Sequence, residues 1–152
     1  MKPTFKAQPM QVQVPATSAN LGPGFDCLGL ALNMHDRYMA QVMDEAGVDI
    51  DVTGEGADAV PTTDKNLVIK AMYKGFDFLG GRPRGIALRQ LNVIPHGRGL
   101  GSSAAAIVGG LALARALVLG GNERMSHEDM LNIANEMEGH PDNVSAAIYG
   151  SA

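Results

Sequence analysis

Apolar and polar residues alternate over Met10–Val14 (MQVQV), a two-residue period that predicts a strand stopped by Pro15. The same period recurs over Val48–Thr53 (VDIDVT), and Gly85–Val93 (GIALRQLNV) has the same character. Cys27–Asn33 and Arg37–Met43 are further strand candidates. Between them the period changes. Over Asn66–Leu79, Leu67, Ala71 and Gly75 fall on one helical stripe beside Val68, Met72, Phe76 and Leu79, and Gly80-Gly81 stops it. A second helix follows Ser102 or Ser103 as cap and runs to about Leu119, with Gly120 placed to end it. Ser126 and Asp129 form a capping-box pattern in front of Met130, Leu131, Ile133, Ala134 and Met137. Strands come mostly early and helices mostly late, which predicts an α+β layer packing in preference to a doubly wound sheet.

Composition sharpens this picture. With 152 residues, 45% hydrophobic and 18% charged, the chain can bury a real core, and one domain is the default. Its 19 glycines exceed what a helical bundle tolerates, so tight turns or close approach of backbone to a ligand are expected. A net charge of -4 argues against a general binder of nucleic acid or anionic membrane, while leaving room for a local anion site. Cys27 is the sole cysteine, which excludes an intrachain disulfide framework and a cysteine zinc cluster. His35, His96, His127 and His140 lack the spacing of a helical metal pair and read as surface or loop residues. The opening MKPTFKAQPM has no apolar core and is not a signal peptide, and residues 1–9 read as a flexible lead. The apolar run Ala104–Leu119 is shorter than a membrane span and is interrupted by Arg115, so a buried helix and a reducing, cytoplasmic setting are expected.

Directly before that buried helix stand Gly97, Gly99 and Gly101, in IPHGRGLGSSAAAIVGG. A helix N-terminus offers up to four unpaired N–H groups and roughly half a positive charge. Glycines ahead of it let a phosphate approach the backbone without meeting a Cβ, and serine hydroxyls can reach a phosphate oxygen or its metal. The plain alternative is a glycine-rich turn feeding a buried helix. No Gly-Lys-Ser/Thr follows, so this is not a Walker loop, and the third glycine is misplaced for a dinucleotide fingerprint. A second loop, PATSANLGPGFDCLGLAL, sets Asn20 and Asp26 around the rigid Gly22-Pro23-Gly24 turn. A third segment, EMEGHPDNVSAA, puts Glu138 at a helix end and Asp142-Asn143 beyond it. Taken singly, these two have bland readings as a strand-to-strand turn and a helix stop with an Asx turn.

Together the three segments resemble the GHMP small-molecule kinases, and within them the homoserine kinase branch. The middle motif is common to the superfamily, and the first and third point to that branch. The resemblance runs from about Gln11 to Gly150. It implies the two-layer α+β amino-terminal domain of these kinases, related to a ribosomal-protein domain, over residues 1–152. By that resemblance, the ATP triphosphate lies over Pro95, His96, Gly97, Arg98, Gly99, Leu100, Gly101, Ser102, Ser103 and Ala104, and Asn66 contacts adenine. Ser103 and Glu138 match Mg²⁺ ligands, a hydroxyl and a carboxylate suited to that hard ion. Asn20, Asp26 and Asn143 match contacts to L-homoserine, with Asn143 placing the attacking hydroxyl. Asp142 is either a base or a helix cap.

The family is about twice this long, and its third glycine motif and the arginines that clamp the substrate carboxylate lie in a carboxy-terminal domain. YGSA also replaces the glycine pair usual after DNV. The chain is therefore expected to be an amino-terminal piece, inactive alone, and compatible with a homodimer. A mevalonate-type kinase, a non-catalytic nucleotide-binding module and an RNA-binding relative are the competing readings. The EGHPDNV segment speaks against the first, and the acidic balance against the last.

Overall fold

A computed structural model describes residues 3–15, 35–54, 57, 60–92 and 102–138. The expected strand over Cys27–Asn33 lies outside them. Four strands are described: β1 (Met10–Pro15), β2 (His35–Met43), β3 (Gly47–Gly54) and β4 (Gly85–Asn92). Four helical segments accompany them: α1 (Leu67–Leu79), α2 (Ser102–Leu117), the single turn α3 (Gly121–Arg124) and α4 (His127–Glu138). The strands form one mixed sheet in the order β1-β2-β4-β3, the α+β arrangement expected. β1 with β2 and β2 with β4 are antiparallel, whereas β3 and β4 run parallel. A parallel pair needs a crossover, and α1 supplies it.

One face of the sheet is covered and the other is open. On β2, Asp36, Tyr38 and Ala40 are buried while Arg37, Met39 and Gln41 are exposed. On β3, Val48, Ile50 and Val52 point inward and Asp49 and Asp51 outward. On β4 the apolar phase of the sequence shifts after Leu88, but the strand keeps its own. Gln90 and Asn92 therefore turn into the core and Leu91 is left exposed.

α1 buries Val68, Ile69, Ala71, Met72, Gly75, Phe76 and Leu79 on one stripe. It stops because Gly80, at φ 115°, adopts the left-handed conformation that disfavours a Cβ. The Gly81 N–H then donates to Phe76 O at 2.9 Å and the Gly80 N–H to Asp77 O at 3.3 Å, pairing the last carbonyls in a Schellman closure. α2 is buried on nearly every side, and two glycines make this feasible. A Cβ on Gly109 would lie 2.3 Å from the Tyr38 ring, and one on Gly110 only 2.4 Å from the Val68 carbonyl of α1. The helix thus rests its backbone on the sheet with one glycine and on α1 with the next.

Three expectations are corrected here. Ser102 and Ser103 are the first residues of α2, inside the helix and not at its cap position. The helix also ends at Leu117, because the lead competes for its last groups. Lys6 N–H donates to Leu117 O at 2.7 Å, Leu119 N–H donates to Thr4 O at 2.8 Å, and Phe5 bridges Val118. Phe5 also meets Phe76 edge-on, with ring centroids 5.5 Å apart. The lead expected to be flexible is tied down at this point. Gly120 opens α3, and the capping box forms as read: Asp129 N–H donates to Ser126 Oγ and Ser126 N–H to Asp129 Oδ2, both at 3.0 Å.

Candidate functional site

One end of the sheet gathers the points where two of the three motif-bearing segments leave. β1 ends at Pro15 opposite His35, where β2 begins, so the segment with Asn20 and Asp26 departs from and returns to this end. β3 and β4 finish there side by side, Gly54 opposite Asn92. Gly54 has φ 95°, and a Cβ on it would sit 2.1 Å from Asn92 O, so only glycine permits this approach. The glycine motif joins Asn92 to the N-terminus of α2. That first turn of α2 carries no acidic side chain, so no internal carboxylate competes for its N–H groups, and Arg115 lies in the last turn, at the negative end of the dipole.

Beneath this end lies a buried polar group. Asn66 is fully buried and caps α1: its Oδ1 accepts from Val68 N–H at 2.8 Å and Ile69 N–H at 3.4 Å. Its Nδ2 donates to Pro61 O at 2.9 Å and to Gln90 Oε1 at 3.1 Å. Gln90 Nε2 passes a bond to Asn92 Oδ1 at 2.9 Å. Asn92 Nδ2 is buried and finds no acceptor among the described residues. On β2, the Tyr38 hydroxyl donates to Asp36 Oδ2 at 2.9 Å, and both residues are buried. Burial pushes the Tyr38 phenol well above its ordinary range, and the charge of Asp36 and this hydrogen bond push the same way.

The residues singled out from sequence are placed as follows. Ser102, Ser103 and Ala104 open α2, and Glu138 closes α4, which packs against α2. Asn66 stands at the site end, but both Nδ2 protons and Oδ1 are bonded within the protein. A side-chain contact to adenine would require one of these bonds to be exchanged. Asn20, Asp26, Pro95, His96, Gly97, Arg98, Gly99, Leu100, Gly101, Asp142 and Asn143 lie outside the described residues. Among the described residues no group of three or more His, Cys, Asp or Glu side chains is placed to hold a metal, and no helix is long and apolar enough to cross a membrane. Sequence reasoning missed Asp36, Tyr38, Gln90 and Asn92. The period of β4, carried on from Ile86 and Leu88, would have put Gln90 and Asn92 on the core face.

The sequence pattern of the GHMP kinases N terminal domain matches residues 66–151. A homoserine kinase of Streptomyces coelicolor is 51% identical over 148 residues, covering 97% of this chain and 48% of that relative. The crystal structure of a homoserine kinase from Cytophaga hutchinsonii superposes with a TM-score of 0.73 at 32% identity, over 96% of this chain and 47% of that one. The Methanococcus jannaschii mevalonate kinase superposes with a TM-score of 0.66 at 15% identity, over 97% of this chain and 52% of that one, a likeness of fold alone. The chain spans about half the length of the relatives it matches.

Proposed function

The chain belongs to the GHMP kinase family through its N terminal domain, and from that membership we propose that it serves the ATP-dependent phosphorylation of the L-homoserine hydroxyl to O-phospho-L-homoserine, a step toward threonine. The observation that carries this reading is the 51% identity to a homoserine kinase across 97% of the chain, against 15% to a mevalonate kinase of like fold.

In this reading the segment from Pro95 to Ala104 cradles the triphosphate. Its glycines let phosphate oxygens meet backbone N–H groups, and the acid-free first turn of α2 leaves its positive end open to them. Ser103 and Glu138 would hold Mg²⁺, which when bound neutralises phosphate charge. Asp26 faces the homoserine ammonium, and Asn20 and Asn143 its polar groups. The homoserine oxygen forms the new bond to the γ-phosphorus while the bond to ADP breaks, and the hydroxyl proton passes to Asp142 or to water. Phosphoryl transfer of this kind relies on alignment and charge stabilisation and leaves little covalent chemistry to the protein. The partner implied is a small molecule, with no role for nucleic acid or membrane.

The cradle is tested by Gly101→Val. A branched Cβ would occupy the space where phosphate meets backbone, so ATP binding by equilibrium titration should be lost while the circular dichroism spectrum is retained. Undiminished ATP affinity in a folded variant would refute the cradle.

A further inference from the structure

The amide chain at the site end has a direction, and that direction is fixed from one side. Exchanging N and O in an Asn or Gln side chain is ordinarily ambiguous, and only the bonding network decides it. Here the network starts at a helix cap. Asn66 Oδ1 accepts two backbone N–H groups of α1, at Val68 and Ile69, so its Nδ2 must be the end that faces Gln90. Gln90 must then present Oε1 to Asn66 and Nε2 to Asn92. Asn92 answers with Oδ1, which leaves Nδ2 as the free terminus. The backbone N–H groups of α1 cannot be turned into acceptors, so Asn92 is committed to offering a donor.

That donor is costly where it stands. Asn92 is 2% exposed, and its Nδ2 has neither an acceptor among the described residues nor exposure to bulk water. A buried polar atom left unpaired in this way calls for a reason, because replacing the residue with an apolar one would remove the penalty. Its position supplies the reason. Asn92 is the last residue of β4, the next residue begins the segment that carries the glycine motif, and Gly54 is held against its carbonyl oxygen.

We infer that Asn92 is a ligand-recognition residue, whose Nδ2 donates to a hydrogen-bond acceptor of the bound nucleotide. This rests on the reading of the adjoining segment as a nucleotide site. Asn66 has its Oδ1 taken by the α1 cap and its Nδ2 by Pro61 O and Gln90 Oε1, so the unpaired donor of this group is that of Asn92. Asn66 and Gln90 are then positioning residues that hold the Asn92 amide with Oδ1 toward Gln90 and Nδ2 unpaired. The acceptor belongs either to a phosphate oxygen or to the base and ribose of the nucleotide. Both are met by the same N–H.

The test uses Asn92→Asp in the complete gene product, with ATP and inorganic tripolyphosphate as probes in equilibrium titrations. Aspartate keeps the shape and the acceptor for Gln90 Nε2 and, when ionised, has no proton to donate. ATP should bind about tenfold or more weakly than to wild type. The loss relative to wild type should shrink as pH falls, because a protonated carboxyl can donate again. Unfolding midpoints measured over the same pH range separate this from a purely structural role, in which the midpoint of Asn92→Asp would be lowered and would recover in step with the affinity. Weakening of both probes places the acceptor on phosphate, and weakening of ATP alone places it on the base or ribose. Asn92→Ser, which keeps a shorter donor, guards against a folding defect and should fall between wild type and Asn92→Asp. Wild-type affinity for both probes in folded Asn92→Asp would overturn the inference while leaving the nucleotide site standing. Wild-type chain that binds neither probe would overturn the site and the inference with it.

Discussion

Gly110→Ala adds one methyl group at the closest approach of two helices. The new Cβ would stand 2.4 Å from Val68 O, 2.6 Å from Ala71 Cβ and 3.1 Å from Met72 N, all on α1. Carbon contacts settle at about 3.5–4.0 Å, so α1 and α2 must separate by about 1 Å. Two of the three neighbours are backbone atoms and cannot swing away as a side-chain tip would. Overpacking of a tight core costs about 1–3 kcal/mol, and this geometry belongs at the upper end. Alanine returns about 1 kcal/mol through helix propensity, leaving a net loss of about 2 kcal/mol. For a chain of this size that lowers the thermal midpoint by about 4–8 °C. The assay is thermal and urea unfolding followed by circular dichroism. Gly81→Ala is the control, since its Cβ would meet only Pro3 Cδ at 3.6 Å, and its midpoint should stay at the wild-type value. Gly110→Ala equal to or above wild type would refute the close packing of α2 on α1.

Tyr38→Phe removes the hydroxyl that donates to buried Asp36 and should cost about 1–2 kcal/mol. The Tyr38 pKa is raised in the folded state, so its contribution is intact below the ordinary phenol value near 10 and is lost as pH climbs from there toward the folded value. Urea midpoints measured from about pH 9 to 11 should therefore decline more steeply in wild type than in Tyr38→Phe, and parallel declines would contradict the shift. Glu138→Gln in the complete gene product should leave the unfolding midpoint close to wild type while raising the Mg²⁺ needed for half-maximal turnover and lowering kcat. An unchanged Mg²⁺ titration would remove Glu138 from the metal site.

Much of the fold was legible because its signals are local. The alternation of MQVQV and VDIDVT, the stripe of Asn66–Leu79 and the Ser126–Asp129 box each express a short-range preference, and each formed where it was read. What escaped was decided by distant parts of the chain. α2 ends at Leu117 because Thr4, Phe5 and Lys6 come across to claim its last groups, a pairing more than a hundred residues apart in sequence. Gly109 and Gly110 look like helix weakeners until Tyr38 and α1 are set against them. Gln90 and Asn92 look like the polar face of β4, since Leu91 and Val93 offer an apolar phase of their own, yet the pleat established by Ile86 and Leu88 prevails. The motifs of the candidate site, glycine loop and acid–amide pairs, lie outside the described residues for the most part. The amide chain of Asn66, Gln90 and Asn92 was not legible, because its members are brought together only by the register of β4 and the cap of α1.

The central claim is tested most directly by phosphoryl transfer in the complete gene product, using ATP labelled at the γ-phosphate and a panel of L-homoserine, mevalonate and buffer alone. The account predicts label on the hydroxyl oxygen of homoserine, recovered as O-phospho-L-homoserine, with mevalonate no better than buffer. Label transferred to mevalonate, or none to homoserine from a folded protein that binds ATP, would contradict it.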